Sequence, residues 1–412
     1  MSKIFKNKGL ITSREIKILK TCLLLRSALA RDQMAGLYIH IPFCRKRCSY
    51  CDFHFSTDLR RKEEMITALH QELILRRTFL LGQKVESVYF GGGTPSLLSR
   101  EELTVLLKTI TKYYQLSSNI EITLEANPDD LSREKLEVLY TAGINRLSIG
   151  VQSFSDEDLR FMRRVHTALE SRRCIAEAQE MNFSNISIDL IYGAPTTTHT
   201  VWLENLEQAF ASGIAHLSAY ALTVESRTQL HHWIRSKKIS PLDEDRQVQQ
   251  YMILTDKIAS EGFTQYEVSN FGKMQYLSKH NTNYWKNIPY LGIGPSAHSF
   301  DGHTRRWNVR NNHHYIKALK EGLIPAKSEV LSPADHYNEH IMTGLRTIWG
   351  VDLNRIKESW GMKYYDHLLR EAEKFLQQKV LSWQGEHLLL SKTHWLYADG
   401  IAAALFFITK KL

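Results

Sequence analysis

From residue 37 onward, hydrophobic and polar positions follow two periods that take turns. Short apolar runs rich in β-branched residues, at 37–41, 87–90, 120–125, 146–151, 186–191 and 215–222, predict strands. Between and after them lie longer stretches with apolar residues at helical spacing, at 62–80, 99–113, 132–142, 167–181, 201–212 and 246–260. Ser99 followed by acidic residues reads as a helix start, and Gly143 and Gly213 read as helix stops. Six βα units in succession predict an α/β fold with a parallel sheet. Six units rather than eight imply a barrel open on one side. After Gly262 the rhythm breaks. Strands are expected at 266–271 and 303–309, then helices from about residue 325 with one hairpin-like piece at 380–391. The expected division is a basic extension at 1–33, a partial barrel at 34–262, a barrel-closing segment at 263–325, and a smaller, mostly helical accessory domain at 326–412. Trp349, Trp360, Trp383 and Trp395 of that domain are expected to pack in its core or interface.

Charge changes this picture only at the start. The formal net charge of +9 includes eight basic side chains against two acidic ones within residues 1–33. The remainder is close to neutral and has no basic stripe for a phosphate backbone, so no nucleic-acid partner is expected. The apolar run 16–30 is broken by Lys17, Lys20 and Arg26 and is too short and charged to cross a bilayer. It lacks the clean apolar centre of a signal peptide. The leader is expected to be an extension upstream of Met34. Its amphipathic character leaves peripheral membrane contact open. No other stretch approaches a membrane span.

The candidate chemistry is concentrated in one place. Cys44, Cys48 and Cys51, three of five cysteines, fall within eight residues just after the first strand. A disulfide would leave one thiol over, and free thiols suit a reducing cytoplasm. Structural zinc normally takes four ligands. Three thiolates on a four-iron cluster would leave one iron open to a ligand. Arg45, Lys46 and Arg47 either favour the thiolate form or simply solvate the loop. Other candidates sit at strand ends, where βα barrels carry ligand groups. Gly91, Gly92 and Gly93 offer either a tight turn or a nest of inward N–H groups. Glu125 and Asp189 put charge into apolar strands, which is costly unless a salt bridge or a ligand meets it.

C-x3-C-x2-C with an aromatic residue before the third cysteine resembles the signature of the radical S-adenosylmethionine (SAM) superfamily. The longer stretch Y-I-H-I-P-F-C-x3-C-x-Y-C-D-F is similar to the branch holding oxygen-independent coproporphyrinogen III oxidases and HemW haem chaperones. The resemblance implies a partial (β/α)6 barrel, a 4Fe–4S cluster on Cys44, Cys48 and Cys51, and SAM on its open iron. It implies contacts to SAM from Gly92, Gly93 and Thr94, from Glu125, Gln152 and Asp189, from the Ala221 backbone, and from Tyr38 and Tyr50. It implies that Arg164 pairs with the SAM carboxylate, with Arg163 adjacent. Phe53 stands where the oxidases have a fourth cysteine. His280-Asn281-Thr282-Asn283-Tyr284-Trp285 resembles the H-N-x-x-Y-W element of the chaperones, which implies haem contacts from His280, Tyr284 and Trp285. The expected function is therefore a haem chaperone, with porphyrin oxidation as the alternative. Expected partners are haem or porphyrin, haem-accepting proteins including respiratory ones, and an electron donor. The resemblance leaves open whether SAM is cleaved. His298, after the Gly-x-Gly-x-Ser-Ala element, departs from the oxidases' apolar residue. His313 and His314 are expected at the surface.

Overall fold

The computed structural model describes residues 34–80 and 82–408. The leader 1–33 and everything expected of it lie outside the described residues. Strands β1 (Met34–Ile41), β2 (Lys84–Gly92), β3 (Leu116–Ala126), β4 (Arg146–Gln152), β5 (Ile186–Tyr192) and β6 (His216–Ala221) lie side by side in chain order, every neighbouring pair parallel. Helices α1 (Lys62–Leu75), α2 (Arg100–Tyr113), α3 (Arg133–Thr141), α4 (Asp156–Phe161), α5 (Ala168–Glu180) and α6 (His199–Ala211) connect them; α7 (Gln229–Arg235) and α8 (Glu244–Ser260) follow β6. Ser99 and Thr167 close capping boxes on α2 and α5, satisfying otherwise orphaned N–H groups. Helix α1 stops five residues before its expected end, in a turn where the Arg76 N–H reaches back to Glu72 O.

The two faces of the sheet differ. Ile39, Phe90, Leu124, Ile149, Leu190 and Leu217 point to the apolar side and join the main core under the helices. The alternate positions are polar. Tyr38 stacks with Tyr89 at 6.1 Å, Ser148 reaches Asp189 at 3.4 Å, and Ser187 meets His216 at 2.7 Å. A period of two thus gives an apolar outside and a polar inside.

Residues 264–330 add strands to both edges. β7 (Thr264–Glu267) and β8 (Asn270–Gly272) form a hairpin beside β6, where one continuous strand was expected. Helix α9 (Lys279–Trp285) then crosses the polar face, and β9 (Tyr290–Ile293) pairs parallel to β1 as a seventh parallel strand. β10 (His298–Phe300), β11 (Thr304–Asn308) and β12 (Ala326–Val330) extend that edge antiparallel, with α10 (Asn312–Lys320) between the last two. The expected boundary at 326 therefore falls just before a strand that hydrogen-bonds to β11.

Glu72 fastens this segment to the barrel. It lies on α1, fully buried, and accepts from Gly294 N at 2.8 Å, Asn308 Nδ2 at 2.8 Å, Tyr315 Oη at 2.5 Å and Arg76 Nη1 at 3.2 Å. From α11 (Pro333–Leu345) onward a second core forms, with α12 (Leu353–Trp360), α13 (Met362–Gln377) and the small sheet β13 (Val351–Asp352), β14 (Leu381–Gln384), β15 (His387–Leu390). Trp395 is buried in it and Trp360 packs on Tyr337. Trp349 lies against Tyr266 of the barrel side, whereas Trp383 is largely exposed.

Replacing Glu72 by Ala removes the shared acceptor of four buried donors at once. Glu72→Ala is expected to cost about 3–5 kcal/mol, by analogy with breaking a buried ion pair. Val105→Ala, on an exposed face of α2, is expected to change stability by less than about 0.5 kcal/mol. Denaturant unfolding of both variants checks the contrast.

Candidate functional site

The cysteine loop leaves β1 and is held by backbone bonds on three sides. Cys44 N donates to Ser56 O at 3.0 Å, Ser49 N to Met162 O at 3.1 Å, and Leu230 N to Ser49 O at 2.8 Å. The thiols of Cys44, Cys48 and Cys51 are free and half-buried. Among the described residues no three His, Cys, Asp or Glu converge on one metal-ion position. Zinc requires such convergence, with Zn–S near ~2.3 Å. A four-iron cluster takes its thiolates on separate irons, so this donor set fits a cluster better than a single ion.

A network missed in the sequence joins two of these thiols. Thr94 Oγ1 donates to Cys44 Sγ at 3.4 Å, Asn127 Nδ2 to Thr94 Oγ1 at 3.3 Å, and Arg164 Nη2 to Asn127 Oδ1 at 2.6 Å. Arg164 Nη1 closes it on Cys48 Sγ at 3.5 Å, and Nη2 also bonds Gly150 O at 2.7 Å. The only signal for Asn127 was its place between a strand end and Pro128. Arg164 Nε is buried without a partner. Arg163 instead bonds Gln229, which separates the two adjacent arginines.

Burial pushes the Cys44 thiol up to about 12 and the Cys51 thiol up to about 11. Arg164 pulls the other way on both. Metal binding has to displace these protons. Of the two readings left open for Arg45, Lys46 and Arg47, their placement matches solvation of the loop. All three are exposed; Arg45 pairs with Asp130 at 2.9 Å and Arg47 bonds Arg227 O at 3.1 Å.

The triple glycine also acts differently from a nest. A Cβ on Gly93 would lie 2.5 Å from Phe43 O, and one on Gly92 would lie 2.6 Å from the His40 ring. Gly93 N donates to Ile41 O at 2.9 Å and Gly92 N to Glu125 Oε2 at 3.0 Å. Both N–H groups are engaged within the protein. The glycines let β2 approach the cysteine loop backbone to backbone.

Glu125 accepts from Tyr89 Oη at 2.8 Å as well as from Gly92. Burial raises its carboxyl to about 7, with the nearby Asp189 adding to the shift. Burial also raises Asp189, against weak help from Ser218 and Ser148. Gln152 ends β4 at φ +67°, a left-handed conformation that bulky residues adopt at a cost. Ala221 ends β6, half-buried. Tyr50 packs near Met162, Ile191 and Leu222 on the β5–β6 side, while Tyr38 lies on the far side, its Oη 3.1 Å from His40 Nδ1. Glu125, Gln152, Arg164 and Asp189 are thus gathered at the strand ends beside the thiols; the two tyrosines are not together.

A cavity of about 660 Å³ opens between β1, β9–β11 and α11. Tyr38, Phe53, Tyr284, Trp285, Tyr290 and Phe300 supply aromatic walls, and Arg305, Arg310 and three histidines supply polar ones. This size suits a drug-sized or cofactor-sized ligand. Tyr284 and Trp285 line it as expected of ligand contacts, but His280 does not. His280 is buried against β1 and β2, its Nδ1 2.9 Å from Ser87 Oγ and its Nε2 3.0 Å from Tyr284 Oη, and stacked on Tyr89 at 4.9 Å. Burial lowers its pKa to about 3. His280, expected as a haem contact, thus stands outside the cavity lining with both ring nitrogens engaged within the protein.

Residues 38–229 match the radical SAM superfamily and residues 331–397 the HemN C-terminal domain. The chain is 36% identical over 356 residues to the haem chaperone HemW of Bacillus subtilis (strain 168), spanning 86% of this chain and 94% of that protein. It is 32% identical over 378 residues to HemW of Mycobacterium tuberculosis, spanning 90% and 95%. It is 38% identical over 339 residues to mouse radical S-adenosyl methionine domain-containing protein 1, mitochondrial, spanning 77% and 74%. Among solved structures, coproporphyrinogen III oxidase HemN of Escherichia coli superposes with a TM-score of 0.79 at 20% identity, covering 93% of this chain and 92% of that one. At that identity the likeness concerns the fold alone.

A carboxyl with a raised folded-state pKa loses stability as pH rises from its unfolded value to its folded one. For Glu125 that window runs from about 4.5 to about 7. Glu125→Gln is expected to remove a loss on the order of 3 kcal/mol across it. Denaturant unfolding of metal-free protein at pH 5 and pH 7.5 checks this; an equal pH dependence in both proteins refutes it.

Proposed function

The chain belongs to the HemW family of the radical SAM superfamily, and on that premise we propose that it is a haem chaperone: it carries haem in the large cavity and delivers it to acceptor proteins. Membership in the superfamily implies a 4Fe–4S cluster and SAM. The observation that carries the haem reading is the cavity, walled by aromatic rings and bordered by the cysteine loop through Asp52 and Phe53. Aromatic faces suit a porphyrin plane. Arg310 has no carboxylate partner among the described residues, which suits a propionate.

In this reading Cys44, Cys48 and Cys51 hold the cluster. Arg164, with its spare Nε–H, turns toward the SAM carboxylate, and Asn127 keeps its guanidinium in place. Glu125 and Asp189 accept from the amino and hydroxyl groups of SAM; Gln152, Ala221, Gly92, Gly93, Thr94, Tyr38 and Tyr50 complete the surroundings. Bound together, a cluster and SAM supply one-electron chemistry at the sulfonium. The residues themselves orient SAM and exclude water from it. Burial raises the Glu125 carboxyl, and a cationic group docked beside it would favour its ionised form.

Porphyrin oxidation is the competing reading, and Phe53 at the fourth-cysteine position argues against it. Among the described residues no helix is long and apolar enough to cross a membrane. The free thiols favour a reducing compartment, so we place the protein in the cytoplasm. Its partners are then haem acceptors, respiratory ones among them, and an electron donor for the cluster.

Anaerobic reconstitution followed by parallel assays tests the choice. Haem transfer to an apo-haemoprotein without coproporphyrinogen decarboxylation is expected. Decarboxylation at enzymic rates overturns the chaperone reading. Cys48→Ala is expected to abolish the cluster's visible absorption and bound iron, whereas Cys174→Ala, buried in the core away from the loop, is expected to retain both.

A further inference from the structure

We infer that His298 is the side chain that ligates the iron of bound haem. The inference rests on the haem reading above and assigns its axial ligand. Three histidines line the cavity: His40, His54 and His298. An axial ligand needs an imidazole nitrogen whose lone pair is free. His40 has none, because Nδ1 meets Tyr38 Oη at 3.1 Å and Nε2 meets His54 O at 2.8 Å. His54 Nε2 is held by Asn312 Oδ1 at 2.7 Å and its ring stacks on His40 at 6.0 Å, so Nδ1 is its one open nitrogen and the ring is tied at the other. His298 has no hydrogen bond to either ring nitrogen among the described residues.

The position of His298 is nevertheless well defined. It begins β10, paired with Trp307 of β11, and the two rings stack at 6.2 Å and 24°. The strand is pressed against β9: a Cβ on Gly292 would lie 2.0 Å from His298 O, so only glycine admits this approach. Ser296, at φ +66°, makes the turn that leads into β10. The result is an imidazole fixed at its backbone, braced on one face by an indole, and open at its nitrogens. Burial and the adjacent Arg305 lower its pKa, which keeps the ring neutral and able to donate its lone pair. Tyr284, Trp285, Tyr290 and Phe300 stand around the same cavity as porphyrin contacts, with Arg310 available to a propionate. His280 remains a positioning residue that holds Tyr284 through its Oη.

Haemin titration of the full-length protein tests this by affinity and by the Soret band and electron paramagnetic resonance of the complex. His298→Ala is expected to weaken binding at least tenfold and to lose the histidine-ligated spectrum. Added imidazole is expected to restore that spectrum, and His298→Met to give a different ligation signature. His54→Ala is expected to keep the wild-type spectrum. An unchanged spectrum and affinity in His298→Ala, failure of imidazole to restore ligation, or loss of ligation in His54→Ala overturns the assignment and leaves the haem reading standing. Absence of haem binding by the wild type overturns both.

Discussion

Glu121, Glu125, Arg146 and Asp189 stand on one face of a parallel sheet whose other face is packed into the core. Charge in such a place is tolerated only where something meets it. At the N-terminal ends of the strands the protein meets it internally. Glu121 accepts from the backbone N–H groups of Lys279 at 3.1 Å and His280 at 3.2 Å, and stands 4.0 Å from Arg146. Helix α9 is thus the floor of the barrel, held by the N–H groups that its first turn leaves unpaired. At the other end Glu125 and Asp189 have only neutral donors, and burial raises both carboxyls. These two incompletely paired carboxyls lie at the end of the sheet where the thiols are.

The same economy explains the loop. The cysteine loop is positioned by its backbone and by its non-cysteine side chains, with Arg45 on Asp130, Arg47 on Arg227 O and Ser49 on Phe161 O. Its shape comes from backbone bonds to Ser56, Met162 and Leu230 and from the close pass of Gly93. Two thiols are then joined through Thr94 and Asn127, which follow β2 and β3, and Arg164, which follows α4. A disturbance at any one of them is therefore felt at the sulfur atoms.

How much of this was legible in the sequence depended on the range of the interaction. The six strands and the cap at Ser99 are local patterns, and they stand as expected. The seventh parallel strand, β9, was not assigned because its pairing partner lies about 250 residues earlier in β1. Glu72 looked like an ordinary polar residue of an amphipathic helix; its burial comes from Asn308 and Tyr315 arriving from far along the chain. His280 and Tyr284 share a helix face, as four-residue spacing requires. Nothing local revealed that this face meets Ser87 at His280 and only reaches the cavity at Tyr284. The motif was legible, but the direction of its histidine was not.

Phe53 joins the two halves of the molecule. It is 69% exposed, unusual for a phenylalanine, and lines the cavity two residues after Cys51. His54 next to it bonds Asn312 and, through its carbonyl, His40. Residues 51–54 therefore form one continuous piece with thiol ligation at one end and a cavity wall at the other. If cluster assembly shifts that piece, it reshapes the cavity. By thermodynamic reciprocity, a haem that prefers one position of Phe53 must favour the matching state of the loop by the same factor. A cysteine at position 53 would tie this point to sulfur chemistry. A phenylalanine gives it to the cavity wall instead.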